Sequence, residues 1–206
     1  MPLTTWKRRA EGVRMAGETY VNLDLRSMKA FGSEWKDCNF EDCRFDLADL
    51  RSSKFLDCRF VDCSMPLVNF GVSFFERTTF RGCNLEQSSF QGCHLTDLSF
   101  LDCRMAYAET LFQDATVRVK LELSGCNLHG SNLDFREVSP HALTIEGCNV
   151  WGAKLAFGCA AFNGKIDERT KMQFLALIAR VSEDETVKKL AGDQWDVVDR
   201  LMKDQK

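Results

Sequence analysis

Every fifth residue between Trp35 and Met105 is large and apolar: Trp35, Phe40, Phe45, Leu50, Phe55, Phe60, Met65, Phe70, Phe75, Phe80, Leu85, Phe90, Leu95, Phe100 and Met105. Two residues before each stands a mostly small side chain, most often cysteine: Cys38, Cys43, Cys58, Cys63, Cys83, Cys93 and Cys103. A period of five fits neither template of regular structure, since a helix returns at three or four residues and a strand at two. A five-residue unit cannot bury its apolar residue alone. It has to stack on copies of itself, which makes the chain a solenoid.

The best local units are Cys38-Asn39-Phe40, Cys83-Asn84-Leu85, Cys126-Asn127-Leu128, Ser131-Asn132-Leu133 and Cys148-Asn149-Val150. They resemble the pentapeptide repeat family, whose consensus A(D/N)Lxx buries its central Leu or Phe. The resemblance spans roughly residues 20–160. It implies an all-β solenoid, a right-handed quadrilateral β-helix with one pentapeptide per side and four per coil. On that model residues twenty apart stack. Trp35, Phe55, Phe75 and Leu95 then form one ladder, and Phe40, Phe60, Phe80 and Phe100 the next. Cys43, Cys63, Cys83 and Cys103 form a thiol column. Its members are expected to stay free, as small buried hydrophobes. A large residue in that slot would overpack the column, typically at about 1–3 kcal/mol.

The register divides the chain into residues 1–19, an N-terminal arm or first capping strand; 20–163, the β-helix of about seven coils; and 164–206, C-terminal helices. The beat lapses over 106–123, where a loop or a distorted coil is expected, and again over 139–145 around Ser139-Pro140-His141. Leu128, Leu133 and Val138 carry a shifted register, and Val150 and Leu155 a third. Beyond Asn163-Gly164, Asp167 can cap a first helix, and Ser182-Glu183-Asp184-Glu185 reads as a capping box for a second. An open solenoid end needs a cap. Trp195, Val198, Leu201 and Met202 offer a further apolar face that could cap the solenoid or pair two copies.

The composition excludes several functional classes. A net charge of −3 over 206 residues gives no strong field for nucleic acid or an anionic membrane. No apolar run approaches the roughly 20 residues that span a bilayer. Lys7, Arg8, Arg9 and Arg14 are not followed by an apolar signal core, so a cytoplasmic location is expected. None of His94, His129 and His141 stands at motif spacing from a nucleophile and a carboxylate. No phosphate-binding glycine loop is present, and no cysteine pair has zinc or redox spacing. The expectation is a non-enzymatic protein with no cofactor and no metal.

What remains is the outward surface. Asp37, Asp42, Asp57, Asp62, Asp97 and Asp102 each follow an apolar position by two, against a single Arg77. Arg44, Arg59 and Arg104 stand near enough to neutralise some of them. Leu47 and Leu67 place apolar side chains in another outward column. These residues form the candidate partner surface. The first reading is an adaptor or scaffold that binds a protein. The alternative, implied by the resemblance to quinolone-resistance members, is a DNA mimic that binds and protects DNA gyrase or topoisomerase IV. A continuous negative stripe favours the mimic, and a broken mosaic the adaptor.

Overall fold

The structure is a computed structural model that describes residues 11–109, 111–135, 142–156 and 165–173. Its regular part is a parallel β-solenoid of about six turns. Successive coils contribute β1 (Arg14–Ala16) and β2 (Thr19–Val21), β3 (Glu34–Lys36) and β4 (Asn39–Glu41), β5 (Lys54–Leu56) and β6 (Arg59–Val61), then β7 (Phe74–Glu76) and β8 (Thr78–Arg81). After them come β9 (His94–Leu101), β10 (Thr116–Ser124), β11 (Asn132–Asp134), β12 (Leu143–Glu146), β13 (Lys154–Ala156) and β14 (Lys165–Ile166). The pairing register is twenty residues: Trp35 lies over Phe55, and Phe40 over Phe60. The other two sides of each coil are held by single bridges, such as Arg44 to Ser64 and Asp49 to Asn69. The first coil includes β1 and β2, so stacking starts upstream of residue 20.

The corners explain how a chain of three-residue strands turns four times per coil. Phe45 accepts a hydrogen bond from the Ala48 amide at 2.8 Å, and Leu85 accepts one from Ser88 at 3.0 Å. The third residues of these turns, Leu47 and Gln87, have φ of 62° and 58°. This is the type II turn, which needs a left-handed residue in that place. The position two after each apolar residue is therefore a backbone corner as well as a surface site.

Inside, the apolar ladders are stacked aromatic piles. Ring centroids of Phe40, Phe60, Phe80 and Phe100 follow at 4.8, 4.6 and 5.1 Å, with interplanar angles of 8°, 7° and 10°. Rings on adjacent sides meet edge to face, as Phe80 and Phe90 do at 84°. Both arrangements suit the aromatic quadrupole. Each such side chain is fully buried, a gain of roughly 1.5–3 kcal/mol apiece.

The small slot selects for more than size. Cys63 donates its thiol to the Phe40 carbonyl at 3.4 Å, Cys93 to Phe70 at 3.2 Å and Ser53 to Ala30 at 3.1 Å. Ser88 donates to Met65 at 2.6 Å and accepts from the Val68 amide at 3.0 Å. Each of these side chains thus bonds the backbone of the preceding coil. Cys, Ser and Thr recur there because all three are small and carry a donor. The nine described cysteines are free and buried.

Residues 106–123 form a distorted coil, and the apolar ladder survives it. Phe112 stacks 5.8 Å from Phe90 and 6.1 Å from Phe135. Two extra residues precede Phe112, which puts Val117 over Leu95. A further shift between Val117 and Lys120 puts Leu121 over Leu98. The structure forms about six turns where the sequence suggested about seven. Leu98 also departs from the small-slot pattern without overpacking the column. The corner opens instead: β9 runs straight from His94 to Leu101 and pairs with both β7 and β8. Leu121 fills the same slot above, inside the equally straight β10.

At the far end, the described part of the C-terminal region is a single short helix, 168–173. Asp167 caps it, accepting from the Thr170 amide at 3.0 Å, and also accepts from the Gly147 amide of the last coil at 2.7 Å. Gln173 Oε1 accepts from the Val150 amide at 2.7 Å. Two side chains thus replace strand partners that a further coil would supply. The second and third expected helices fall outside the described residues, as do Trp195, Val198, Leu201, Met202, Val138, His141 and Cys159.

Two outcomes follow for stability. Ser88→Ala strands a buried amide and a buried carbonyl and is expected to lower stability by about 1–3 kcal/mol. Ser88→Cys, which keeps a donor, is expected to cost less; urea titration of both variants checks the order. Leu98→Ala empties an opened corner and is expected to cost about 2–5 kcal/mol in the same assay.

Candidate functional surface

The six aspartates and two leucines singled out by the sequence all lie on the outside, and seven of the eight share one backbone state. Asp37, Asp42, Asp57, Asp62 and Asp102 have φ between 51° and 55°, and Leu47 and Leu67 have 62° and 58°. Asp97 is the exception, because it sits within the straight β9. Asp is among the residues that tolerate the left-handed region. Its recurrence at corners therefore has a conformational cause that the sequence pattern alone did not reveal. The same position elsewhere holds Gly32, Gly82, Gly92, Gly125 and Gly130, all with positive φ.

Charge on this surface is broken into pairs. Arg77 Nε and Nη2 contact Asp57 Oδ1 and Oδ2 at 2.6 and 2.9 Å, and Arg77 also binds Glu76. The guanidinium holds the Asp57 carboxyl below the usual carboxylate range. Arg51 grips Asp49 with two bonds of 2.8 Å, and Arg26 grips Asp24 at 2.8 and 2.6 Å. Arg44 approaches Asp46 at 3.3 Å, and Arg104 approaches Glu86 at 3.4 Å. Exposed pairs of this kind add little stability, but they cancel field. Asp37, Asp42, Asp62, Asp97 and Asp102 form no ion pair among the described residues. Asp42, Asp62 and Asp102 share one corner column, which Gly82 interrupts. The Asp62 carboxylate leans over Gly82, where any Cβ would collide with it; Asp102 does the same over Gly125.

Among the described residues, no reaction chemistry assembles around His94 or His129. His94 Nδ1 lies 2.9 Å from Thr116 Oγ1, and its ring stacks on Phe74 at 4.6 Å. His129 meets the Tyr107 ring edge-on at 5.5 Å. Among the described residues no group of three His, Cys, Asp or Glu side chains is placed to hold a metal ion. The Cys93 thiol is a poor nucleophile: desolvation pushes it from 9.0 up to about 12, and the thiolate is the reactive form. Among the described residues no helix is long and apolar enough to cross a membrane.

A family model described as a pentapeptide repeat region matches residues 33–110. No curated protein matches the chain. Among solved structures, full-length QnrB1, a plasmid-mediated fluoroquinolone resistance protein, is 16% identical. That match covers 78% of this chain and 99% of that one, with a TM-score of 0.34. HetL of Nostoc sp. strain PCC 7120, a pentapeptide repeat protein involved in heterocyst differentiation regulation, is 13% identical. It covers 79% of this chain and 90% of that one, at a TM-score of 0.24. Rfr23 of the cyanobacterium Cyanothece 51142, another pentapeptide repeat protein, is 10% identical over 77% of this chain and 91% of its own, also at 0.24.

Two measurements test this geometry. Gly82 and Gly92 share a φ of +63°, but only Gly82 lies under a carboxylate. Gly82→Ala is expected to destabilise by more than Gly92→Ala, each by at least about 1 kcal/mol from the left-handed backbone, and Asp62→Ala should remove the difference. For Cys93, the raised pKa means stability is full below the thiol's ordinary 9.0 and is lost as pH rises from there towards about 12. Cys93→Ser should flatten that alkaline limb of a denaturation series.

Proposed function

Because the chain is a pentapeptide repeat protein, we propose that it is a non-catalytic scaffold that binds another protein through the outside of its solenoid. The observation that carries this reading is the alternation of paired and unpaired charge. Arg77 with Asp57, Arg51 with Asp49 and Arg26 with Asp24 break the acidic columns into a mosaic. Such a pattern suits a partner with its own mixture of charges, because complementary patterning sets register and specificity. A reducing compartment, the cytoplasm, suits nine buried free thiols.

The unpaired column of Asp42, Asp62 and Asp102 supports a second reading, a mimic of duplex DNA directed at a type II topoisomerase. A gyrase supercoiling assay with and without a fluoroquinolone separates the two. The scaffold reading expects no inhibition and no rescue up to micromolar protein. Rescue that is lost in Asp42→Asn/Asp62→Asn/Asp102→Asn would instead establish the mimic. The scaffold reading itself is tested by cross-linking in the native host. A partner held by the wild type and released by Arg77→Glu, which reverses one element of the mosaic, supports it; a partner insensitive to every outward substitution contradicts it.

A further inference from the structure

One side of the solenoid differs from the other three. It comprises residues 27–32, 47–52, 67–72 and 87–92, stacked in four coils. Its only charged residues are Lys29, Asp49 and Arg51, and the last two are bonded to each other. The floor is otherwise Asn69, Gly71, Ser89 and Gln91, with the Asn69 side chain turned back to accept from the Gly71 amide at 2.9 Å. Apolar side chains stand open to solvent at its corners, Leu47 60% exposed, Leu67 48% and Val72 58%, beside Ser27, Ser52 and Gln87; Phe31, 41% exposed, lies in the floor column of Arg51 and Gly71. Tyr107, 55% exposed, continues the Leu47 edge into the next coil. Most of the large exposed hydrophobic residues described thus gather on one side and its corners.

Leu47, Leu67 and Val72, like Tyr107 at φ 58°, are doubly disfavoured where they stand. Leu47, Leu67 and Val72 have φ of 62°, 58° and 58°. A bulky or β-branched residue resists that conformation, and exposure returns nothing for it. Asp, Asn or Gly would cost the fold less; the equivalent corners of other coils hold Gly32, Gly92 and Gly130, and also Ser27, Ser52 and Gln87. The fold therefore gives no reason for these three side chains, whereas a contact outside the fold does.

We infer that this side is a self-association face, on which two copies of the chain pack. Its near-neutrality selects this occupant. The two sides bearing Asp37, Asp42, Asp62 and Asp102 would oppose a second copy of themselves, and this side would not. A two-fold axis parallel to the solenoid sets the Leu47–Leu67 edge of one copy against the Val72 edge of the other, an isologous contact. Amide and hydroxyl groups of the floor can donate and accept in both directions. Coils about 4.8 Å apart make the patch smaller than the roughly 800 Å² per partner of a standard interface. The dimer is accordingly weak.

Sedimentation equilibrium of the full chain over a wide concentration range tests this. The expected result is a mass rising from 23.5 kDa towards twice that value, unchanged by added salt because the face carries little charge. The triple variant Leu47→Asn/Leu67→Asn/Val72→Asn should stay monomeric and melt no lower than wild type, since Asn accepts positive φ. Asp42→Asn/Asp62→Asn, on another side, should dimerise like wild type. A monomer at every concentration, or a dimer that survives the triple variant, overturns the inference. Either result leaves the scaffold reading standing, because that reading rests on the charged sides.

Discussion

The parallel backbone ladder between coils is the interaction on which everything else depends. It fixes a twenty-residue register, and the register forces like onto like. Phe stacks on Phe, and the small slot stacks on itself. Neither an isolated pentapeptide nor an isolated coil could bury its apolar residue, so stability accrues through contacts between neighbours. Within the ladder each slot carries one requirement. The central residue must be large and apolar. The residue two before it is mostly small, and where it is Cys, Ser or Thr it also donates to the backbone. The residue two after it must accept positive φ.

That third requirement recasts the acidic columns. Asp37, Asp42, Asp57, Asp62 and Asp102 first suggest a surface shaped for recognition. Their backbone shows that corners favour Asp, Asn and Gly before any partner is involved. The charge remains available to a partner, but its recurrence is not itself evidence of one. By the same argument Leu47, Leu67 and Val72 gain weight, because the backbone does not favour them.

Much of this architecture was legible in the sequence. The period of five exposed the ladders, the free thiols of the described residues and the lapse of register over 106–123. The donor role of the small slot could also have been read there. Ser33, Ser53, Ser73, Thr78 and Ser88 share the slot with Cys, and these donor-bearing residues outnumber Ala48, Val68 and Leu98 there. Other features needed three dimensions. Leu98 departs from the small residues of its column and the corner opens around it, since a backbone can relieve strain that a strict period cannot represent. Phe112 kept its ladder because extra residues were absorbed before it and at a shift in β10. The Arg77–Asp57 bond joins residues twenty apart, so pairing across coils was visible only once the register had been laid out in space. Outward positions are constrained by φ alone, which is why the fold can be read closely and the partner cannot.

The central claim is that the corner aspartates satisfy the backbone through their conformation and leave their charge to the surface. The thermal midpoint of Asp37→Asn/Asp42→Asn/Asp62→Asn/Asp102→Asn tests it most directly, since Asn keeps the shape and the tolerance of positive φ while removing four charges. The account predicts a midpoint equal to or above that of the wild type. A midpoint several degrees lower would contradict it, by showing that the fold needs these carboxylates as charges.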